Sequence, residues 1–263
     1  MKCKWIKKLT AGIIFLAAVG SLSGCQKAAT SENLFRDIEV NMTSVESAEE
    51  NQIVKLQMGD GDSAISQESN LDIEMTRNPA SVHRKGQQKT NMAGTKETQE
   101  MESYQVEEDG KTVIYSGTDE AWEKNAVEEK ETSSRQTVLF DGLQNLSGAF
   151  SVSQDLATVN KEECFELTGT ISGTQFQETF ADTLKALLGE DSSDLSGWNL
   201  QASEDEENNE ELQQKLNNIK VDCVIDIYRS NILPAKIIFD LTDYLKAAGE
   251  ENAQVTSYTL EVT

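Results

Sequence analysis

The sequence predicts an α+β fold: antiparallel strands in meanders, with two or three amphipathic helices over their apolar face. Three observations lead there. Alternating apolar and polar residues recur from Gln52 onward, most clearly after residue 218. Helical spacing of apolar residues occurs near the start and again after Gly173. Gly, Asn, Asp and Pro punctuate the alternating runs, as turns require.

The elements follow in order. Leu34, Phe35, Ile38, Met42 and Val45 recur near every fourth position, so the spacing predicts a helix over 33–48. Gln52 to Met58 is a short strand, and Leu71, Ile73 and Met75 alternate with polar residues as a second. Gly59 to Gly61 supplies a turn between them. Residues 81–96 leave two readings open, an edge strand pair or a mobile loop. Tyr104–Val106 and Thr112–Tyr115 flank Glu108-Asp109-Gly110 as a hairpin, and Ala121–Lys124 adds a strand. Val138, Leu139, Leu143 and Leu146 suggest a helix over 134–146.

Cys164 to Ile171 alternates again. Thr174-Gln175-Phe176-Gln177 has the form of a capping box. It would open a helix whose stripe is Phe176, Phe180, Leu184, Leu187 and Leu188, stopped at Gly189. Leu212 and Leu216 suggest a short helix. Three closing strands follow: Ile219 to Ile227, Ala235 to Leu241, and Thr256 to Val262.

This order resembles the half-open β-barrel lipoproteins of the LolA, LppX and LprG type and related lipoproteins of Gram-positive bacteria. The residues that carry the resemblance run from Val221 to Asp240, V-x-C-x-I-x-I-Y…L-P-x-K-I-x-F-D. It implies a curved antiparallel sheet, a half-barrel, with helices covering the concave face. It also implies a cavity for lipid or lipoprotein acyl chains. The cavity candidates are Phe176, Phe180, Leu184, Leu188, Ile225, Ile237 and Phe239. The bland alternative for the helical stripe is ordinary core between helix and sheet.

The N-terminus states an address. Lys2, Lys4, Lys7 and Lys8 precede an apolar run from Ala11 to Gly20, which is shorter than the roughly 20 residues of a membrane-spanning helix. Basic start, short apolar stretch and small residues read as a secretory signal. The run ends Leu22-Ser23-Gly24-Cys25, which resembles the lipobox of bacterial lipoproteins. That resemblance implies a signal peptide over 1–24, cleavage before Cys25 and a diacylglyceryl group on its thiol. Two acyl chains suffice for stable attachment. Residues 25–31 then form a lipidated tether and 32–263 one domain, held on the outer face of the cell membrane.

The part after residue 24 carries 19 basic and 46 acidic residues, a formal charge of −27. Such charge argues against nucleic acid, and against an anionic bilayer surface, as a partner of the protein body as a whole. It accommodates cationic partners or loosely held divalent ions without requiring either. Cys164 and Cys223 are the remaining thiols after Cys25. Their alternation puts Cys223 in phase with Val221 and Ile225, and Cys164 out of phase with Phe165 and Leu167. A bridge needs both Cβ atoms on one side, so parity argues against the disulfide that an exported chain would permit.

No catalytic set is visible. His83 is the sole histidine and lies in a polar stretch, and no H-E-x-x-H, G-x-S-x-G or phosphate loop occurs. The acidic run Ser203 to Glu211 lacks calcium-loop spacing, so no metal or catalytic residue is assigned. Trp122 and Trp198 suit core or ligand contact equally. The leading expectation is a non-enzymatic binder or carrier of an apolar ligand such as a lipid or acyl chain, with no cofactor beyond the diacylglycerol on Cys25. The alternative is a structural or interaction lipoprotein of the cell envelope, contacting another envelope protein, with a filled core and no ligand.

Overall fold

The computed structural model describes residues 29–59, 64–92, 94–109, 111–118, 121–127, 142–188, 213–248 and 255–263. Eleven antiparallel strands form one open sheet: β1 Ser47–Met58, β2 Ile65–Arg77, β3 Ala80–Met92, β4 Thr95–Glu108, β5 Lys111–Thr118, β6 Ala121–Val127, β7 Phe150–Val159, β8 Glu162–Ser172, β9 Lys220–Tyr228, β10 Pro234–Asp240 and β11 Val255–Val262. Their spatial order is β6-β5-β4-β3-β2-β1-β11-β10-β9-β8-β7. The chain therefore starts at the middle, meanders to one edge, crosses to the other edge, and meanders back. β1 and β11 meet at the centre, with Val54 opposite Leu260 and Gln52 opposite Val262. The expected α+β class and curved, half-open sheet hold.

The helices are α1 Ser31–Met42, α2 Leu143–Leu146, α3 Gly173–Leu188, α4 over 213–218 and α5 Thr242–Ala248. They pack on the β7–β11 half. The sheet face beneath them, called inner here, carries Leu167, Ile171, Val221, Cys223, Ile225, Ile227, Ile237, Phe239 and Leu260. Period-2 alternation puts these on one side of every strand. Phe35 and Ile38 of α1, Phe176 and Phe180 of α3, Leu216 of α4 and Tyr244 of α5 close the core from above. Each fully buried side chain of this size contributes about 1.5–3 kcal/mol, so this half holds most of the burial energy.

Several expectations are adjusted by the structure. α1 ends at Met42, not 48; Thr43 caps it and Ser47 already belongs to β1. Val45 therefore keeps the helical spacing without sharing the helix. Residues 80–92 and 95–108 are neither a loop nor an edge. They are long interior strands, with β3 paired along its length to β2 and β4. Their side chains are polar on both faces, which hides the period that marks a strand. β7 and α5 were not expected. The β7 ladder slips between Val152 and Leu156, so its alternation breaks in the sequence. Residues 134–141, Asp191 to Glu211 with Trp198, and the N-terminal signal region lie outside the described residues; Leu143–Leu146 is a single helical turn.

The capping box is present two residues earlier than its sequence form suggests. Ser172 Oγ accepts from the Gln175 amide at 3.1 Å, and Gln175 Oε1 accepts from the Ser172 amide at 3.0 Å. These reciprocal bonds satisfy two of the orphan donors at a helix start. They also let β8 turn directly into α3. Gly173 is needed at that corner, because a Cβ would sit 2.8 Å from the Leu216 carbonyl oxygen and 3.3 Å from the Tyr244 ring.

Candidate functional site

The seven cavity candidates fall into two groups. Phe176, Phe180, Ile225, Ile237 and Phe239 are buried and belong to the main core. Phe176 meets Phe239 at 5.3 Å and Tyr244 at 5.1 Å, edge to face, and Phe180 meets Phe239 at 4.8 Å. Such contacts add about 0.5–1.5 kcal/mol each beyond burial. These rings form a packed wall. Leu184 and Leu188 lie on the described backbone of α3, with side chains outside the described residues.

Beside this wall the inner face continues with less cover. Val54, Leu56 and Met58 of β1 and Val262 of β11 touch the core yet are only half-buried. On β2 the same face carries Leu71 and Ile73, 7% and 2% exposed and outside the main core cluster. The result is an apolar strip along the seam where the two halves of the sheet join.

The strip ends in polar groups. Gln52 is opposite Leu71, and Glu50 is opposite Ile73, which is in turn opposite Arg84 of β3. Gln52 is 1% exposed, and its Oε1 has no hydrogen-bond partner. Glu50 is half-buried as a residue, but its Oε1 is likewise inaccessible and without a partner. A buried acceptor left unpaired costs about 1–3 kcal/mol, so two side by side call for a physical reason. Burial pushes the Glu50 carboxyl up to about 7, against the opposing attraction of the Arg84 guanidinium. At neutral pH this carboxyl is therefore shared between charged and neutral forms. Close strand approach frames the site. A Cβ on Gly86 would collide with the Asn70 carbonyl oxygen and lie 2.9 Å from Leu71 Cα.

Sequence reasoning found the wall and missed this strip. Val54, Leu56 and Met58 read as an ordinary strand. Gln52 read as the polar start of that strand and Glu50 fell before it, with no sign that they point inward. The signal in retrospect is parity: Glu50 and Gln52 are in phase with Val54 and Leu56.

The opposite face differs in kind. His83 Nε2 donates to Glu102 Oε1 at 2.9 Å, and the ring stacks on Tyr104 with centroids 4.2 Å apart. Lys85 and the Tyr104 hydroxyl also donate to Glu102, both at 3.2 Å. The hydrogen bonds from His83 hold the Glu102 carboxyl below its usual range, with Lys85 and Tyr104 adding to it. Trp122 is 44% exposed and tilts toward Tyr104 at 5.6 Å. Such cross-strand pairs stabilise β3–β6, where few apolar side chains are buried. No group of three or more His, Cys, Asp or Glu able to hold a metal occurs among the described residues.

Cys164 and Cys223 are both free and buried. They lie on different pairs of the β8–β9 ladder, Cys164 opposite Tyr228 and Cys223 opposite Gly169. Burial pushes the Cys223 thiol up to about 12 and the Cys164 thiol above its ordinary value. Both are poor nucleophiles.

A family of unknown function, DUF6612, matches the chain over residues 30–240. The chain belongs to this family. No curated protein matches this DUF6612 chain. Among solved structures it is similar to the Mycobacterium tuberculosis lipoprotein LppX, with 13% identity, 89% of this chain and 92% of that one covered, and a TM-score of 0.43. It is similar to LprF from Mycobacterium bovis at 10% identity, covering 89% and 90%, with a TM-score of 0.42. A LolA superfamily protein from Nitrosomonas europaea matches at 9% identity and a TM-score of 0.27, covering 90% and 92%. Likeness at this level carries no ligand or residue role across to the DUF6612 chain.

Proposed function

We propose that this protein is a non-enzymatic lipoprotein, anchored through Cys25 to the outer face of the cell membrane, that binds an apolar ligand such as a lipid or acyl chain. The observation that carries the reading is the half-buried apolar strip of Val54, Leu56, Met58 and Val262 beside a fully packed wall. An acyl chain laid along it would complete burial that the protein leaves unfinished. Apolar walls with a few placed polar groups suit such a ligand. Gln52 and Glu50, at the end of the strip, supply acceptors for a hydroxyl or amine at the ligand's polar end. Phe176, Phe180, Ile225, Ile237 and Phe239 back the strip.

Native mass spectrometry with solvent extraction of the purified protein tests the reading. A stoichiometric co-purifying lipid is expected, and Leu56→Arg should lose it while keeping the wild-type melting profile. A folded protein that carries no lipid and takes up no fluorescent fatty acid would end the carrier reading.

The second reading is an interaction lipoprotein of the envelope. It is favoured by the exposed Tyr104 and Trp122 on the outer face. A protein partner there would be lost on Trp122→Ala with lipid binding intact.

A further inference from the structure

A groove of about 490 Å³ lies over β11, β1, β2, β3 and β4. Its lining is drawn mostly from the face opposite the apolar strip. One cross-strand row there runs Thr259, Lys55, Glu68, Lys89, Thr98, and the next runs Ser257, Gln57, Ser66, Asn91, Lys96. Lys55, Lys89 and Lys96 have no carboxylate within ion-pair distance among the described residues. Two carboxylates also line the groove, Glu68 in the first of these rows and Glu97 from the strip face, in the row of Leu56, Gln67 and Thr90. The groove thus carries one excess positive charge, in a chain with 46 acidic and 23 basic residues.

The register fixes which end of the sheet this is. The row Phe150, Gly169, Cys223, Phe239, Leu260, Val54 crosses from β7 to β1. The groove residues of β1 lie beyond Val54 on the side where Ala149 to Ser147 precede Phe150. Ser31 Oγ donates to the Ser147 carbonyl at 2.8 Å, pinning the start of α1 to that same end. Thr30, the residue that caps α1, therefore lies at the end of the ladder that holds the groove.

We propose that this groove seats the anionic head group of a phospholipid in the leaflet that holds the Cys25 anchor. It rests on the anchored-carrier reading and adds an orientation to it. A short tether limits which surface reaches the bilayer, and charge complementarity selects anionic lipid over zwitterionic lipid. Each basic residue at an anionic leaflet favours contact about fivefold, so one excess charge predicts about a fivefold preference. Removing the charge of Glu68 should multiply that preference about fivefold again.

The test uses the full chain, processed in cells and reconstituted into vesicles of phosphatidylcholine with or without phosphatidylglycerol. Intact mass reports the lipid on Cys25, and hydrogen exchange reports residues 89–92 and 94–98. Slower exchange of these residues on phosphatidylglycerol is expected. Lys89→Gln should abolish the slowing, and Glu68→Gln should deepen it. A lipidated chain with equal exchange on both vesicles overturns the head-group site and leaves the carrier reading standing. A chain without added lipid mass overturns the anchor and this orientation together. Equal slowing by inorganic phosphate on phosphatidylcholine alone would assign the groove to free phosphate and overturn the membrane occupant.

Discussion

Replacing Glu50 by Gln should make the protein more stable at pH 8 and have a much smaller effect at pH 5. The Glu50 carboxyl lies at about 7 in the fold because burial disfavours its charged form. In the unfolded chain a glutamate titrates near 4.3. Between these values the folded state holds more protons than the unfolded state, so stability falls as pH rises through this window and levels off above about 7. The gap of roughly 2.7 pKa units corresponds to about 3.8 kcal/mol at about 1.4 kcal/mol per unit. Glu50 is half-buried as a residue, so about 1–3 kcal/mol is the realistic range. Gln keeps the shape and cannot ionise, so Glu50→Gln removes the loss. Urea denaturation at pH 5, 6, 7 and 8 measures it. Wild-type stability should decline across this series, less steeply in Glu50→Gln. Two parallel profiles, or a Glu50→Gln protein weaker than wild type at pH 8, would refute the argument. Asp226 contributes in the same direction, since burial raises its carboxyl against the pull of Lys236, so a residual slope in the variant is expected.

Further consequences can be measured directly. Phe239→Ala removes a ring that touches both Phe176 and Phe180 and should cost about 3–5 kcal/mol by denaturant unfolding. Ser172→Ala breaks the capping box between β8 and α3 and should cost about 1 kcal/mol, with Ser172→Thr much closer to wild type. Gly86→Ala forces β2 and β3 apart and should destabilise by at least about 1–3 kcal/mol while weakening lipid binding at the adjoining strip. Cys164 and Cys223 should resist a thiol reagent in the native protein and react after unfolding, and a reductant should leave the melting temperature unchanged.

The local elements were legible because their chemistry is local. Period-2 alternation marked β8 through β11, helical spacing marked α3, and Glu108-Asp109 marked the β4–β5 hairpin. Parity placed Cys164 and Cys223 out of phase, and both are free thiols. β3 and β4 were obscure because neither face buries an apolar row, and pairing with long neighbours holds them instead. The same limit applies to the site. The Phe176 and Phe239 stripe was visible as apolar periodicity, but periodicity does not distinguish a packed wall from an open one.

What the sequence determined alone was the class of fold, the strands of its closing meander and the sign of its charge. What only tertiary structure decided was the order β6 to β1 and β11 to β7, and with it the seam where β1 meets β11. That seam sets Glu50 and Gln52 inward and the start of α1 at the basic end of the ladder. These juxtapositions join residues more than 200 positions apart, as at Val54 and Leu260. No local propensity encodes them, because they follow from the closure of one sheet by strands from opposite ends of the domain.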